Sequence, residues 1–192
     1  MPYRTNALQV DAEIARFAEI LSAEGVRSYL EIGSKFGGSL WRVATTLPAG
    51  SRIVSVDLPR GTKAWPQSEP SLKACIAELC RLGYDAQVIW GDSTDPDVIG
   101  QVRRRGPYDA ALIDGDHRLP GLTLDWQNYG PMARIVGFHD ISWRRAPEWV
   151  GTRIDVPEWW NEHKSAYRHE EIRLCPTGKN NGIGVLYFGD KL

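Results

Sequence analysis

Ala110-Ala-Leu-Ile-Asp-Gly-Asp-His117 carries an apolar run straight into three side chains able to hold a metal ion or move a proton. A short apolar run bounded by polar residues reads as a strand buried on both faces. One helix-length later, Ile135-Val-Gly-Phe-His-Asp140 repeats the arrangement. Two such strands release acid and imidazole at their carboxyl ends, where an open α/β sheet holds its ligands. Upstream, Ser28-Tyr-Leu-Glu-Ile32 opens into Gly33-Ser-Lys-Phe-Gly-Gly38, and a further strand ends in Asp57. The pattern predicts a cofactor-binding α/β enzyme.

Strand and helix patterns alternate along the chain. Leu8, Ile14, Phe17, Ala18 and Leu21 have helical spacing and Gly25 stops them. Strands are expected at 28–32, 52–56, 86–90, 109–113 and 134–138, with helices at about 39–47, 71–82, 96–104 and 119–132. This alternation predicts a parallel sheet covered on both faces. Segments 170–175 and 183–188, separated by the turn-rich Pro176-Thr-Gly-Lys-Asn-Asn-Gly182, read as a closing hairpin and bring the count to seven strands. No repeat or domain boundary interrupts residues 1–192, which read as one domain.

With 192 residues, 42% of them hydrophobic and 24% charged, the composition is that of a globular domain. A net charge of −1 gives no electrostatic reason to expect nucleic acid or an anionic membrane as partner. No apolar run approaches the ~20 residues of a membrane helix, and the N-terminus lacks a signal-peptide pattern. Three cysteines are too few for a disulfide scaffold; Cys75 and Cys80 read as small core residues, and a cytoplasmic setting is expected. Trp143, Trp149, Trp159 and Trp160 crowd the segment 143–168. They suit either a helix packed on the sheet or a substrate wall or subunit contact, and a homo-oligomer is one expectation.

The loop Glu31-Ile-Gly-Ser-Lys-Phe-Gly-Gly38 follows a strand and precedes a helix, the context in which glycines let a ligand approach the backbone. A dinucleotide loop would place glycine where Lys35 stands, so a nicotinamide cofactor is disfavoured. Glu31 suits a ligand bearing a positive amino group, Asp57 a ribose diol, and Asp92 of Gly91-Asp-Ser93 an adenine amine. Each residue alone suits a structural role too: Gly33 and Gly37 as turn formers, Asp92 as a helix cap. Their succession at consecutive strand ends favours a ligand.

Glu31-x-Gly33-x-x-x-Gly37, Asp57 and Gly91-Asp92 resemble the cofactor motifs of class I S-adenosylmethionine-dependent methyltransferases. Ile113-Asp-Gly-Asp-His117, Tyr129-Gly-Pro131 and Phe138-His-Asp-Ile141 resemble, within that class, the macrocin O-methyltransferase and cephalosporin-hydroxylase-like group. The resemblance covers roughly residues 26–142. It implies a Rossmann-like sheet of order 3-2-1-4-5-7-6, mostly parallel, with the last strand antiparallel. It also implies S-adenosylmethionine as cofactor, with Glu31, Gly33, Ser34, Gly37 and Ser39 around its methionine part, Asp57 on the ribose, Asp92 and Ser93 at the adenine, and Asp114 bordering it.

By the same resemblance a divalent ion, Mg²⁺ or Mn²⁺, would sit on Asp114, His139 and Asp140, with Asp116, or failing that His117, as the base that deprotonates a small-molecule hydroxyl. His139 departs from the family pattern, which has an acid there. Imidazole suits transition ions better than Mg²⁺, so either His139 stays out of the metal shell or the ion is softer than magnesium; the expectation is an Asp114/Asp140 site that still accepts Mg²⁺, with His139 adjacent. The cluster also admits a structural reading, with His139 and Asp140 capping a helix and Asp116 holding a turn. His163 and His169 read as solvent-facing. The expected activity is O-methyl transfer; a non-catalytic cofactor-binding module is the alternative.

Overall fold

The structure is a computed structural model, describing residues 9–60, 68–142, 154–175 and 181–188. Its centre is a seven-stranded sheet in the order β3-β2-β1-β4-β5-β7-β6, as expected. The strands are β1 (Ser28–Ile32), β2 (Arg52–Asp57), β3 (Asp85–Trp90), β4 (Tyr108–Ile113), β5 (Ala133–His139), β6 (Arg168–Ile172) and β7 (Ile183–Tyr187). The first five pair in parallel, and β7 runs antiparallel to both β5 and β6. Every residue of β1 and β7 is buried, the mark of strands covered on both faces.

Among the described residues six α-helices cover the sheet: α1 (Asp11–Ala23), α2 (Gly38–Ala44), α3 (Ser68–Arg81), α4 (Pro96–Arg105), α5 (Leu119–Tyr129) and α6 (Val156–His163). One core gathers apolar side chains of α1, α2 and α3 against one sheet face, and a second those of α4, α5 and α6 against the other. Proline opens α4, α5 and α6 within their first two positions, where its missing N–H costs nothing. Asp95 caps α4 by accepting from the Asp97 N–H at 2.8 Å.

Some details depart from the sequence expectation: β6 lies at Arg168–Ile172 instead of 170–175, α2 ends at Ala44 instead of 47, and two side chains are placed differently. Cys75 is buried, but Cys80 is exposed, its thiol directed at the Ala86 carbonyl of β3. His163 is half-buried, stacked on the Trp159 ring at 4.1 Å between centroids, because its position at the end of α6 turns it back over that helix. His169 is exposed as expected. Trp159 and Trp160 are the two largest fully buried side chains, Trp159 against Phe138 and Trp126, Trp160 over Gly184. Trp65, Trp143 and Trp149 lie outside the described residues.

Buried Glu13 joins the first helix to the far side of the sheet. Its carboxylate accepts from the N–H groups of Leu174, Cys175 and Gly182, where β6 leaves and β7 begins. Three backbone donors replace the water that this buried charge gives up. The contact closes the N-terminal helix against the hairpin, so that α1 starts beside the carboxyl ends of the strands.

Candidate active site

The loop after β1 is shaped by its backbone. Gly33 has φ +87°, and a Cβ there would lie on the Asp114 carbonyl and 2.9 Å from the Gly115 Cα. Only glycine satisfies both constraints. Lys35 also takes a left-handed φ of 51°, and its N–H donates to Asp57. The loop after β1 is thereby tied to the end of β2, with the Leu58 N–H on the other Asp57 oxygen at 2.7 Å.

Glu31 is fully buried, and both its oxygens are engaged: Tyr29 Oη donates at 2.6 Å and Ser39 Oγ at 2.7 Å. Burial pushes its carboxyl up to about 7, against the lowering effect of those hydrogen bonds. Ser34 is buried beside it and accepts from Ser55. At the end of β3, Asp92 folds back on Thr94, accepting from its N–H and hydroxyl at 2.8 and 2.7 Å. These bonds hold the Asp92 carboxyl below its ordinary value. The Ser93 carbonyl accepts from Tyr129 Oη at 2.6 Å, so α5 fastens this loop.

The ends of β4 and β5 meet in a tight group of two carboxylates and two imidazoles. Asp114 Oδ1 lies 2.9 Å from His117 Nε2 and 3.2 Å from His139 Nδ1. Asp140 Oδ2 lies 3.1 Å from His117 Nδ1, and Asp140 Oδ1 is 3.3 Å from His139 Nδ1. Asp140 adopts φ 65°, an uncommon backbone state that gathers at functional sites. Burial alone would depress both imidazoles, but the flanking carboxylates outweigh it: His117 is pushed up to about 10 and His139 is also raised. Burial would raise Asp114, yet His139 and His117 hold its carboxyl well below the usual range.

Asp114, His117 and His139 each offer one donor atom within 4.8 Å of the others. Among the described residues this is the one group of that kind; it contains His117, and Asp140 lies against both imidazoles without being part of it. Asp116 stands apart at the mouth, one-third exposed, with both oxygens held by the Arg118 guanidinium. That pairing, foremost, keeps the Asp116 carboxyl low.

Three participants escaped the sequence reading. Gln9, just before α1, donates to Asp114 Oδ2 at 2.6 Å, a contact without any local sequence signal. Asp155 receives the Leu119 N–H on its carboxylate and gives its own N–H to the His117 carbonyl, both at 2.8 Å. Tyr29 was accessible in principle, since strand alternation puts positions 29 and 31 on one face.

A parallel sheet with an antiparallel closing hairpin, a glycine loop after β1 and acids at successive strand ends defines a Rossmann-like group-transfer fold. The sequence pattern of a family described as "Methyltransferase domain" matches residues 30–141, more than half the chain, and the chain belongs to that family. No curated protein matches it. Among solved structures, the O-methyltransferase TomG of Streptomyces achromogenes, described in complex with SAM, is 18% identical with a TM-score of 0.70, over 95% of this chain and 82% of that one. An O-methyltransferase from Bacillus cereus in complex with SAH is 13% identical with a TM-score of 0.66, over 97% and 84%. The methyltransferase domain of the bacterial CtHen1-C is 14% identical with a TM-score of 0.62, over 93% and 97%. These likenesses are likenesses of fold. No helix among the described residues is long and apolar enough to cross a membrane.

Proposed function

We propose that this methyltransferase uses S-adenosylmethionine to methylate a hydroxyl of a small molecule or sugar, with a divalent ion at the reaction centre, as in the macrocin O-methyltransferase and cephalosporin-hydroxylase-like group. The observation that carries the reading is the adjacency of the two halves of the site. Gly33 of the glycine loop packs on the Asp114 backbone, and Asp114 is itself the hub of the acid–imidazole group. A methyl donor over the loop would therefore face an acceptor held at the β4 and β5 ends, the proximity that transfer demands.

In this reading Glu31 takes the ligand's ammonium group, Asp57 its ribose hydroxyls, and the Asp92–Ser93 loop the adenine. Gly33 and Gly37 let the loop close on the Asp114 backbone and on Cys75 of α3 and so shape the cradle, while Ser34 and Ser39 hold the carboxylate wall in place. The acid–imidazole group centred on Asp114 and His139 would hold a divalent ion, which would supply acidity to an acceptor hydroxyl. The proton goes to Asp116 rather than His117. Both His117 nitrogens face carboxylates at 2.9 and 3.1 Å, which leaves neither ready to accept from a substrate. Asp116 is ionised and open to the mouth, and Arg118 keeps it there.

Methyl-labelled S-adenosylmethionine, incubated with a panel of phenolic and sugar hydroxyl acceptors, tests this. Label should move to an acceptor, and Asp116→Asn should slow transfer at least tenfold while leaving S-adenosylhomocysteine binding intact. Binding without turnover across the panel would indicate a cofactor-binding module without catalysis; absence of binding would overturn the cofactor assignment.

A further inference from the structure

The acid–imidazole group does not have the donors of a magnesium site. Mg²⁺ takes oxygen ligands in near-ideal octahedral geometry and gives up water reluctantly. Here the convergent atoms come from one carboxylate and two imidazoles. His139 is more than nine-tenths buried, and neither of its ring nitrogens makes an aligned hydrogen bond. A buried polar ring left in that state is costly unless something accepts its lone pair or its proton.

The two separations from Asp114 to the imidazoles are of the size found between ligand atoms on one ion. Asp114 Oδ1 stands 2.9 Å from His117 Nε2 and 3.2 Å from His139 Nδ1. Ligand atoms bound at 2.0–2.1 Å around one ion lie about 2.9 Å apart in an octahedron and about 3.4 Å apart in a tetrahedron. Outer partners are in place as well. Asp140 Oδ2 faces His117 Nδ1 at 3.1 Å while its Oδ1 lies 3.3 Å from His139 Nδ1, and Gln9 donates to the second oxygen of Asp114 at 2.6 Å. A carboxylate behind a ligating histidine fixes its tautomer and aims the opposite nitrogen at the metal.

The geometry points to a two-histidine, one-carboxylate site, built from Asp114, His117 and His139, that takes a nitrogen-accepting first-row ion of the iron-to-zinc range in place of magnesium. The inference rests on the ion-assisted reading above and gives it a specific ion class. It makes Asp140 an orienting residue and not a ligand. Three protein donors leave further coordination positions open to an acceptor oxygen, the arrangement of a working site as opposed to a structural one.

The test is titration of the metal-stripped full chain with Co²⁺, followed by its visible d–d spectrum, and with Zn²⁺ in competition. One Co²⁺ per chain should bind, Zn²⁺ should displace it, and a thousandfold excess of Mg²⁺ should not. His139→Gln should weaken Co²⁺ binding at least tenfold and change the spectrum, whereas His163→Gln, outside the site, should do neither. Displacement of Co²⁺ by Mg²⁺ at comparable concentration, or a spectrum indifferent to His139→Gln, would overturn the inference; the magnesium competition needs no variant and so does not depend on one folding. S-adenosylhomocysteine binding is measured on the same stripped protein. If it binds there while Co²⁺ does not, the ion site fails and the cofactor reading stands; Co²⁺ binding without it has the opposite meaning.

Discussion

Gln9 and Asp114 are 105 positions apart in the chain, yet Gln9 Nε2 donates to Asp114 Oδ2 at 2.6 Å. The donor stands at the entry to α1, and the acceptor ends β4. With Oδ2 so occupied, Asp114 presents Oδ1 to the two imidazoles. Gln9 is thus part of the wall of the site and aims its central carboxylate.

Removing that donor frees the carboxylate to rotate. Gln9→Ala is expected to weaken Co²⁺ or Zn²⁺ binding about 10- to 100-fold, the range seen when an outer-shell partner of a metal ligand is lost. Thermal stability should fall by no more than about 1 kcal/mol, because the bond is only partly buried. Unchanged ion affinity would show that Gln9 merely covers Asp114.

Gly33 is the least replaceable position of the loop. Gly33→Ala must place a Cβ 2.7 Å from the Asp114 carbonyl carbon while holding φ near +87°. Left-handed strain and overlap with immovable backbone each cost about 1–3 kcal/mol. The variant should lose that stability in a denaturant titration and lose S-adenosylhomocysteine binding in the fraction that still folds. A variant of wild-type stability that binds the ligand would mean that the β4 end yields more readily than its pairing to β1 suggests.

Asp125 of α5 supplies a pH-dependent term. It is fully buried, with neither carboxylate oxygen in an aligned hydrogen bond, and burial pushes its carboxyl up to about 6. A folded-state value above the unfolded one of about 3.9 means that the native protein binds this proton more tightly. Its contribution is favourable at low pH, is lost as pH rises from about 4 through 6, and stays lost above that. A shift of about two pH units corresponds to roughly 3 kcal/mol. Asp125→Asn should therefore raise the unfolding midpoint at pH 7 and flatten the slope between pH 4 and 6. Parallel pH profiles for the two proteins would refute the assignment.

Much of this architecture could be read from short-range pattern. The sequence pattern places β1 at its observed bounds, and β2 to β5 within one residue at each end, because apolar runs there stop abruptly at Gly, Asp or His. The sheet order came from family resemblance, since adjacency in a parallel sheet leaves no local trace. α6 has a weaker sequence signal: Val156-Pro157 gives a start, but Trp159 and Trp160 equally suit a surface wall. The grouping of Asp114, His117, His139 and Asp140 follows from strand register, as Ile113 pairs with Phe138 and so sets the two strand ends side by side. Which nitrogen faces which oxygen, and the presence of Gln9 and Asp155, depend on tertiary contacts that no periodicity encodes.

Asp155 gives that dependence a mechanical form. It begins the helix bearing Trp159 and Trp160, and it grips both the His117 carbonyl and the Leu119 N–H. The imidazole at the reaction centre is therefore registered against the bulkiest part of the core instead of against its own short loop. A cavity opened under those indoles would reach the reaction centre as misalignment before it melted the sheet, so that a packing lesion some distance from the cofactor would present itself as an enzymatic one.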